Sequence, residues 1–132
     1  MIRFIPALLT ILSATGTAHA SDPQIIGRWI SSRPVFENGG VFTKVALEFK
    51  DTTVDASTIC YYPSREIESV VTVPVEVDNG KINVLGTDVK TVTEDRLECT
   101  SSIDRAIVDY QINGNVLSVT AQGATMDFIR RQ

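Results

Sequence analysis

Hydrophobic and polar residues alternate along most of the chain after residue 40, and many of the apolar positions are β-branched. The alternation runs through residues 41–49, 67–77 and 105–112, continues at Leu117 and Val119, and ends at Met126 and Phe128. A period of two places successive side chains on opposite faces of a strand, so each run predicts a half-buried β-strand.

Turn sequences separate these runs. Residues 78–80 and 113–115, each containing Asn-Gly, predict tight hairpins, and residues 50–52 and 122–124 carry weaker turn signals. Residues 38–40 are expected to end an open loop that contains Pro34. Pro74 lies inside a predicted strand, which therefore has an edge or a bulge there, because proline donates no ladder hydrogen bond.

The number of runs predicts the fold class. No segment shows sustained helical periodicity, and residues 87–104, the least clear stretch, are compatible with strands near 89–93 and 97–101. We therefore expect an all-β protein of about eight to ten short strands joined by hairpins, forming a barrel or a sandwich. A small antiparallel up-and-down barrel is favoured because closure removes exposed edge strands.

The first 20 residues have the organisation of a cleavable signal peptide. Arg3 precedes an apolar run of about a dozen residues, and Ala18-His19-Ala20 supplies small residues at the cleavage positions. We predict a signal peptide over residues 1–20, a single β-barrel domain over residues 21–132, and a secreted or periplasmic protein. The apolar run is shorter than the roughly 20 residues that span a bilayer, so no membrane anchor is expected.

Charge narrows the classes of partner. Removal of residues 1–20 takes away Arg3 alone among the Lys, Arg, Asp and Glu residues, which leaves 11 basic against 16 acidic residues and a net charge of −5. Nucleic acids and anionic membrane surfaces both require clustered positive charge. Neither is an expected partner.

The histidine content limits the catalytic mechanisms and metal sites that the domain can have. His19 is the only histidine and leaves with the signal peptide, which excludes an imidazole base or His-activated nucleophile from the remaining domain. Two acidic pairs, Glu66 with Glu68 and Glu94 with Asp95, are interpreted as solvated charges. We expect no enzymatic activity, no cofactor and no metal site.

Two cysteines, Cys60 and Cys99, remain after export. In an oxidising compartment two cysteines predict one disulfide, although a pair of free thiols is the alternative. Two cysteines without histidine do not complete a tetrahedral zinc site.

Residues at the two ends of the domain resemble a known family. Gly27-Arg28-Trp29 in the first strand and Arg130 near the last residue are similar to the lipocalin signature, in which an arginine crosses the indole of a Gly-x-Trp motif. Val108-Asp109-Tyr110 is loosely similar to the family's Thr-Asp-Tyr motif. The chain resembles the short lipocalin-like (calycin-type) barrels of bacterial exported proteins, being shorter than lipocalins and ending without their helix.

The resemblance implies roles for particular residues. Gly27, Trp29 and Arg130 would close one end of the barrel, with the guanidinium on the ring face. The inward residues assigned to ligand binding are Val45, Leu47, Phe49, Val71, Val73 and Tyr110. The interior is expected to be either a narrow cavity for one small apolar ligand or a filled core. Otherwise Trp29 belongs to the core of a different small barrel, and Arg130 and Arg131 form a solvated tail.

A loop next to Cys60 suggests a second function. Tyr61, Tyr62 and Arg65 are of the residue types that anchor interfaces, which favours a protein-binding module such as an enzyme inhibitor. The Ser-Gly-x-x-Tyr motif of periplasmic lysozyme inhibitors is absent. The alternative is that Tyr62 faces the core and Tyr61 covers its rim.

Overall fold

The computed structural model describes residues 22–131, so the predicted signal peptide lies outside the described residues. A 3-10 turn, Pro23–Ile25, is followed by eleven strands. They are β1 (Gly27–Ser31), β2 (Phe36–Asn38), β3 (Val41–Phe49), β4 (Thr53–Tyr62), β5 (Arg65–Asp78), β6 (Lys81–Val84), β7 (Asp88–Glu94), β8 (Leu97–Ile103), β9 (Ala106–Asn113), β10 (Val116–Ala121) and β11 (Ala124–Arg131). Within residues 22–131 no helix is long and apolar enough to cross a membrane.

Eight of the strands form a closed antiparallel barrel in the order β1-β11-β10-β9-β6-β5-β4-β3. Strand β1 closes the barrel because it pairs on both sides. Gly27 to Ile30 pair with Phe49 to Ala46 of β3, and Arg28 to Ser31 pair with Arg131 to Phe128 of β11. The prediction of an all-β antiparallel barrel is confirmed.

Three strands lie outside the closed ring. Strand β2 pairs with β3 beyond the end of β1, and β7 pairs with β8 in a separate two-stranded sheet. The β7–β8 hairpin packs against β4 and β5. The Ser69 hydroxyl donates to the Lys90 carbonyl at 2.8 Å, and the Ser101 hydroxyl donates to the Ala56 carbonyl at 2.8 Å.

The disulfide between Cys60 and Cys99 joins this hairpin to the barrel wall, with the two Cα atoms 5.8 Å apart. It confirms the predicted pairing of the two cysteines. Both cysteines are buried and pack with Ile67 in a small second core beside the barrel.

The strand register explains which side chains are buried. Along β5 every second residue from Ile67 to Val77 is buried, while most of the intervening residues are exposed. Pro74 lies where the pairing of β5 with β6 ends, and its carbonyl accepts a hydrogen bond from the Leu85 amide at 2.9 Å. Proline is therefore tolerated at an edge of the ladder, as the sequence predicts.

Tight turns with a left-handed backbone connect the strands of several hairpins. Asn79 and Gly80 have φ of 52° and 76°, as a type I′ turn requires. Gly39 and Gly40, with φ of 57° and 84°, likewise connect β2 to β3. Residues 38–40 were predicted to end the open loop that contains Pro34, but Phe36–Asn38 already form strand β2. The prediction missed this strand because three residues are too few to produce a visible alternation.

The turn between β7 and β8 has a left-handed backbone at two residues that are not glycine. Asp95 and Arg96 have φ of 48° and 68°, a region that costs non-glycine residues about 1–2 kcal/mol. Arg96→Gly is therefore expected to raise the free energy of unfolding by about 0.5–1 kcal/mol, measured by urea denaturation. Ser64→Gly is the control, because the β4–β5 turn has no positive φ at Ser64. Equal effects of the two substitutions would contradict this explanation.

Candidate functional site

One end of the barrel is closed by Trp29, whose side chain is fully buried. The indole N–H donates to the Ile25 carbonyl at 2.9 Å, and Ile25 is itself fully buried beneath the same end. The Arg130 guanidinium lies 4.1 Å from the centre of the indole ring. Its two terminal nitrogens donate to the carbonyls of Ile26 at 3.1 Å and Gln24 at 2.5 Å. Arg130 therefore joins the N-terminal segment, the indole and the last strand.

Gly27 lies directly beside this guanidinium. A Cβ atom at position 27 would approach Arg130 Nη1 to 3.2 Å, and the φ of 123° is one that other residues rarely adopt. Both observations explain why glycine precedes Trp29 by two residues. The arrangement puts Gly27, Trp29 and Arg130 together at one end of the barrel.

Tyr110 lies in the same core cluster as Ile25 and Trp29. Its hydroxyl donates to Asp22 Oδ2 at 2.5 Å, while Asp22 Oδ1 accepts from the Gln24 amide at 3.0 Å. Burial of the ring raises the pKa of Tyr110 above its usual range, and the hydrogen bond to Asp22 adds to the effect. The tyrosine is therefore a neutral donor that holds the N-terminal segment.

Residues on the inner faces of the strands also line an apolar cavity of about 200 Å³ that is partly open to solvent. Residues from β3, β4, β6, β9, β10 and the end of β8 surround it. They are Leu47, Phe49, Val54, Ile82, Val84, Ile103, Asp104, Ala106, Val108 and Val119. Asp104 is the one ionisable residue among them.

A second apolar groove of about 270 Å³ adjoins this cavity through the shared residue Val119. It follows the inner face of the β10–β11 hairpin, from Phe128 past Met126 to Ala124 and Ala121. The barrel is therefore packed at the Trp29 end, and two partly open apolar pockets lie along its β10–β11 side.

The residues predicted to bind a ligand divide into two groups. Leu47 and Phe49 line the cavity. Val71, Val73 and Tyr110 are buried in the packed wall or core, and Val45 is half-buried against the core. The cavity residues Ile82, Val84, Val108 and Val119 escaped the sequence-based assignment, although they follow the same alternation, because periodicity does not show which inward positions face empty space.

The residues predicted as an interaction loop make contacts within the protein. Tyr62 donates a hydrogen bond to the Glu98 carbonyl, and Arg65 pairs with Glu94 at 3.1 Å and Asp95 at 2.5 Å. The Tyr61 ring stacks on Phe42 with centroids 4.6 Å apart, and burial followed by the charge of Glu66 raises the pKa of its hydroxyl. The contacts of Tyr62 and Arg65 attach the β7–β8 hairpin to the barrel, whereas the Tyr61–Phe42 stack joins β4 to β3.

The described part of the chain contains no group of three or more His, Cys, Asp or Glu side chains arranged to hold a metal ion. The predicted solvated pair Glu94 and Asp95 both face Arg65, and Glu68 faces Arg28 at 3.4 Å. These carboxylates balance neighbouring charges on the outer surface.

The fold and the cavity define the class: a small disulfide-bonded antiparallel β-barrel, closed at one end by a tryptophan–arginine pair and carrying a partly open apolar cavity along one side. Searches against models of protein families, curated proteins and solved structures find no match.

Proposed function

We propose that this protein is an exported, non-catalytic, lipocalin-like binding protein that holds a small apolar molecule in the barrel. The observation that carries the proposal is the cavity lined almost entirely by aliphatic and aromatic side chains. Transfer of apolar ligand surface from water into such a cavity contributes about 25 cal/mol per Å² of buried surface to the binding free energy. Export is supported by the signal-peptide pattern and by the disulfide, which persists in oxidising compartments.

The size of the site favours a small or slender ligand. The cavity and the adjoining groove together fall in the lower part of the range of about 300–1,000 Å³ that is usual for ligand pockets. Asp104 at the lining is placed to accept a hydrogen bond from a hydroxyl or amine on an otherwise apolar ligand. The packed core around Trp29 leaves the β10–β11 side for ligand binding.

Val108→Trp tests the location of the site. The neutral fluorophore N-phenyl-1-naphthylamine, titrated into the protein of residues 21–132, is expected to bind with a Kd in the micromolar range and to gain fluorescence. Val108 lines the cavity, so a larger ring there is expected to raise the Kd about tenfold or more. Native mass spectrometry of the purified protein shows in parallel whether a ligand is carried through purification.

Ile107→Trp is the matched control. Ile107 precedes Val108 on β9, and its side chain is 66% exposed on the opposite face. The control is expected to leave the Kd unchanged. A wild-type protein that does not bind the fluorophore, or a Val108→Trp variant that binds as tightly as the control, would refute the cavity as a ligand site.

A further inference from the structure

The wall of the barrel is incomplete between β2 and β11. Strand β1 pairs with β3 up to Ile30 and with β11 up to Ser31. The Ser32 amide makes a last hydrogen bond to β11, and the chain next contacts β3 at Val35. The Ser31 hydroxyl accepts the Val45 amide at 3.1 Å, and Pro34 has no amide N–H to offer β3. Beyond this point β2 pairs with β3 alone and β11 pairs with β10 alone.

The opening leaves two strand edges facing each other. The Arg130 amide donates to the Asn115 carbonyl, so even-numbered residues of β11 direct their backbone groups to β10 and odd-numbered residues direct theirs to the opening. The Asp127 carbonyl accepts from the Ser32 amide at 3.0 Å. Among residues 22–131, the Asp127 amide and both backbone groups of Thr125 have no strand partner on that side.

The lining of the opening is partly apolar and carries one unpaired cation. A cleft of about 380 Å³ lies between residues 32–35 and residues 125–127. Val35 and Met126, which line it, are each 40% exposed. Arg33 lines the cleft and forms no ion pair within the described residues, whereas Asp127 accepts a hydrogen bond from Ser118 at 2.6 Å.

We propose that this opening binds an extended peptide segment of a partner protein by strand addition to β11. The segment carries small apolar side chains on the face that meets Met126 and Val35, and an acidic residue that meets Arg33. Unpaired backbone groups on a strand edge recognise an extended chain, and the exposed side chains beside them supply specificity. The site shares Thr125 and Met126 with the groove on the β10–β11 hairpin but shares no residue with the cavity that Val108 lines, and it does not depend on a bound apolar ligand.

The first test uses a defined probe, the fluorescein-labelled peptide Gly-Asp-Val-Thr-Val-Thr-Gly, and amide hydrogen exchange followed by NMR. The amides of Thr125 and Asp127 are expected to exchange rapidly in the free protein and to slow about tenfold when the peptide binds. The same peptide with N-methylated threonines is expected to lose most of its affinity. Absence of binding at about 1 mM peptide, or binding that leaves both amides unprotected, would overturn the proposal.

Thr125→Pro provides the test on the protein side. Proline removes the Thr125 amide, one of the two that point into the opening, and an edge position tolerates it because no ladder hydrogen bond to β10 is lost. Peptide affinity, measured by fluorescence anisotropy, is expected to fall about fivefold or more. Thr120→Val is the matched control, since it also removes the 2.8 Å contact between the Thr120 and Thr125 hydroxyls but keeps the amide.

The outcomes separate this proposal from the proposed function. Unchanged peptide affinity in Thr125→Pro would refute strand addition while leaving fluorophore binding in the cavity unaffected. Peptide binding that is blocked by Val108→Trp but not by Thr125→Pro would place the peptide in the barrel and refute the proposed site. If Thr125→Pro does not fold, hydrogen exchange on the unaltered chain still decides the question.

Discussion

Trp29→Ala is expected to lower the free energy of unfolding by about 4–5 kcal/mol. The indole is fully buried, so its removal leaves a large cavity at the closed end of the barrel. It also leaves the Ile25 carbonyl without its donor and takes the ring away from the Arg130 guanidinium. Small domains have net stabilities of about 5–15 kcal/mol, so this substitution alone removes much of the total. Urea denaturation followed by circular dichroism measures the loss.

Two more conservative substitutions distinguish the stability that comes from packing of the indole from the stability that comes from its contact with Arg130. Trp29→Phe keeps an aromatic face under Arg130 but removes the indole N–H, and we expect a loss of about 1–2 kcal/mol. Arg130→Met removes the charge and both hydrogen bonds to the N-terminal segment, with an expected loss of about 1–3 kcal/mol.

Arg131→Met is the control for Arg130, because Arg131 is the neighbouring exposed arginine and shares its basic character. Its expected effect is below about 0.5 kcal/mol. If Arg130→Met and Arg131→Met had the same small effect, the terminal arginines would be a solvated tail and the closing role of Arg130 would be wrong.

Cys60→Ala with Cys99→Ala is expected to lower the free energy of unfolding by about 4 kcal/mol. The disulfide spans a sequence separation of 39 residues, and the chain-entropy model gives about this value for such a loop. The double variant also frees the β7–β8 hairpin from the barrel wall, so limited proteolysis within residues 88–103 is expected to accelerate before the barrel unfolds.

Ser101→Ala is the matched comparison, because it removes a different attachment of the same hairpin, the hydrogen bond to the Ala56 carbonyl. About 1 kcal/mol is expected for that bond. Alkylation of the unfolded, unreduced wild-type protein is expected to label neither cysteine. Labelling of both, or a double variant as stable as Ser101→Ala, would contradict the stabilising role of the disulfide.

Strand content followed from local patterns in the sequence. In β5 the alternation from Ile67 to Val77 predicts one buried face, and the structure shows that face. Asn79-Gly80 predicts its turn because these residues tolerate positive φ. Asp95-Arg96 makes the same kind of turn without any such signal, since the contacts of Asp95 and Glu94 with Arg65 and the packing of the hairpin impose it.

The cavity shows where pattern reasoning ends. Leu47 and Val45 have the same polarity, parity and strand, and both pack against the core, yet only Leu47 lines the cavity. The difference depends on which side chains approach from β6, β9 and β10, far away in the sequence. Local periodicity contains no information about those distances.

The order of residues was enough to establish an all-β chain with hairpin turns, a histidine-free domain and one pair of cysteines, because alternation, turn chemistry and composition are local properties. Closure of the barrel, in contrast, depends on pairing between strands that are distant in the sequence. Strand β1 must pair with β3 and β11 at once, which brings Gly27, Trp29 and Arg130 to one end and separates β11 from β2 at the other. The partly open cavity and the open edge at Thr125 follow from that closure, since both arise between strands that are distant in the chain.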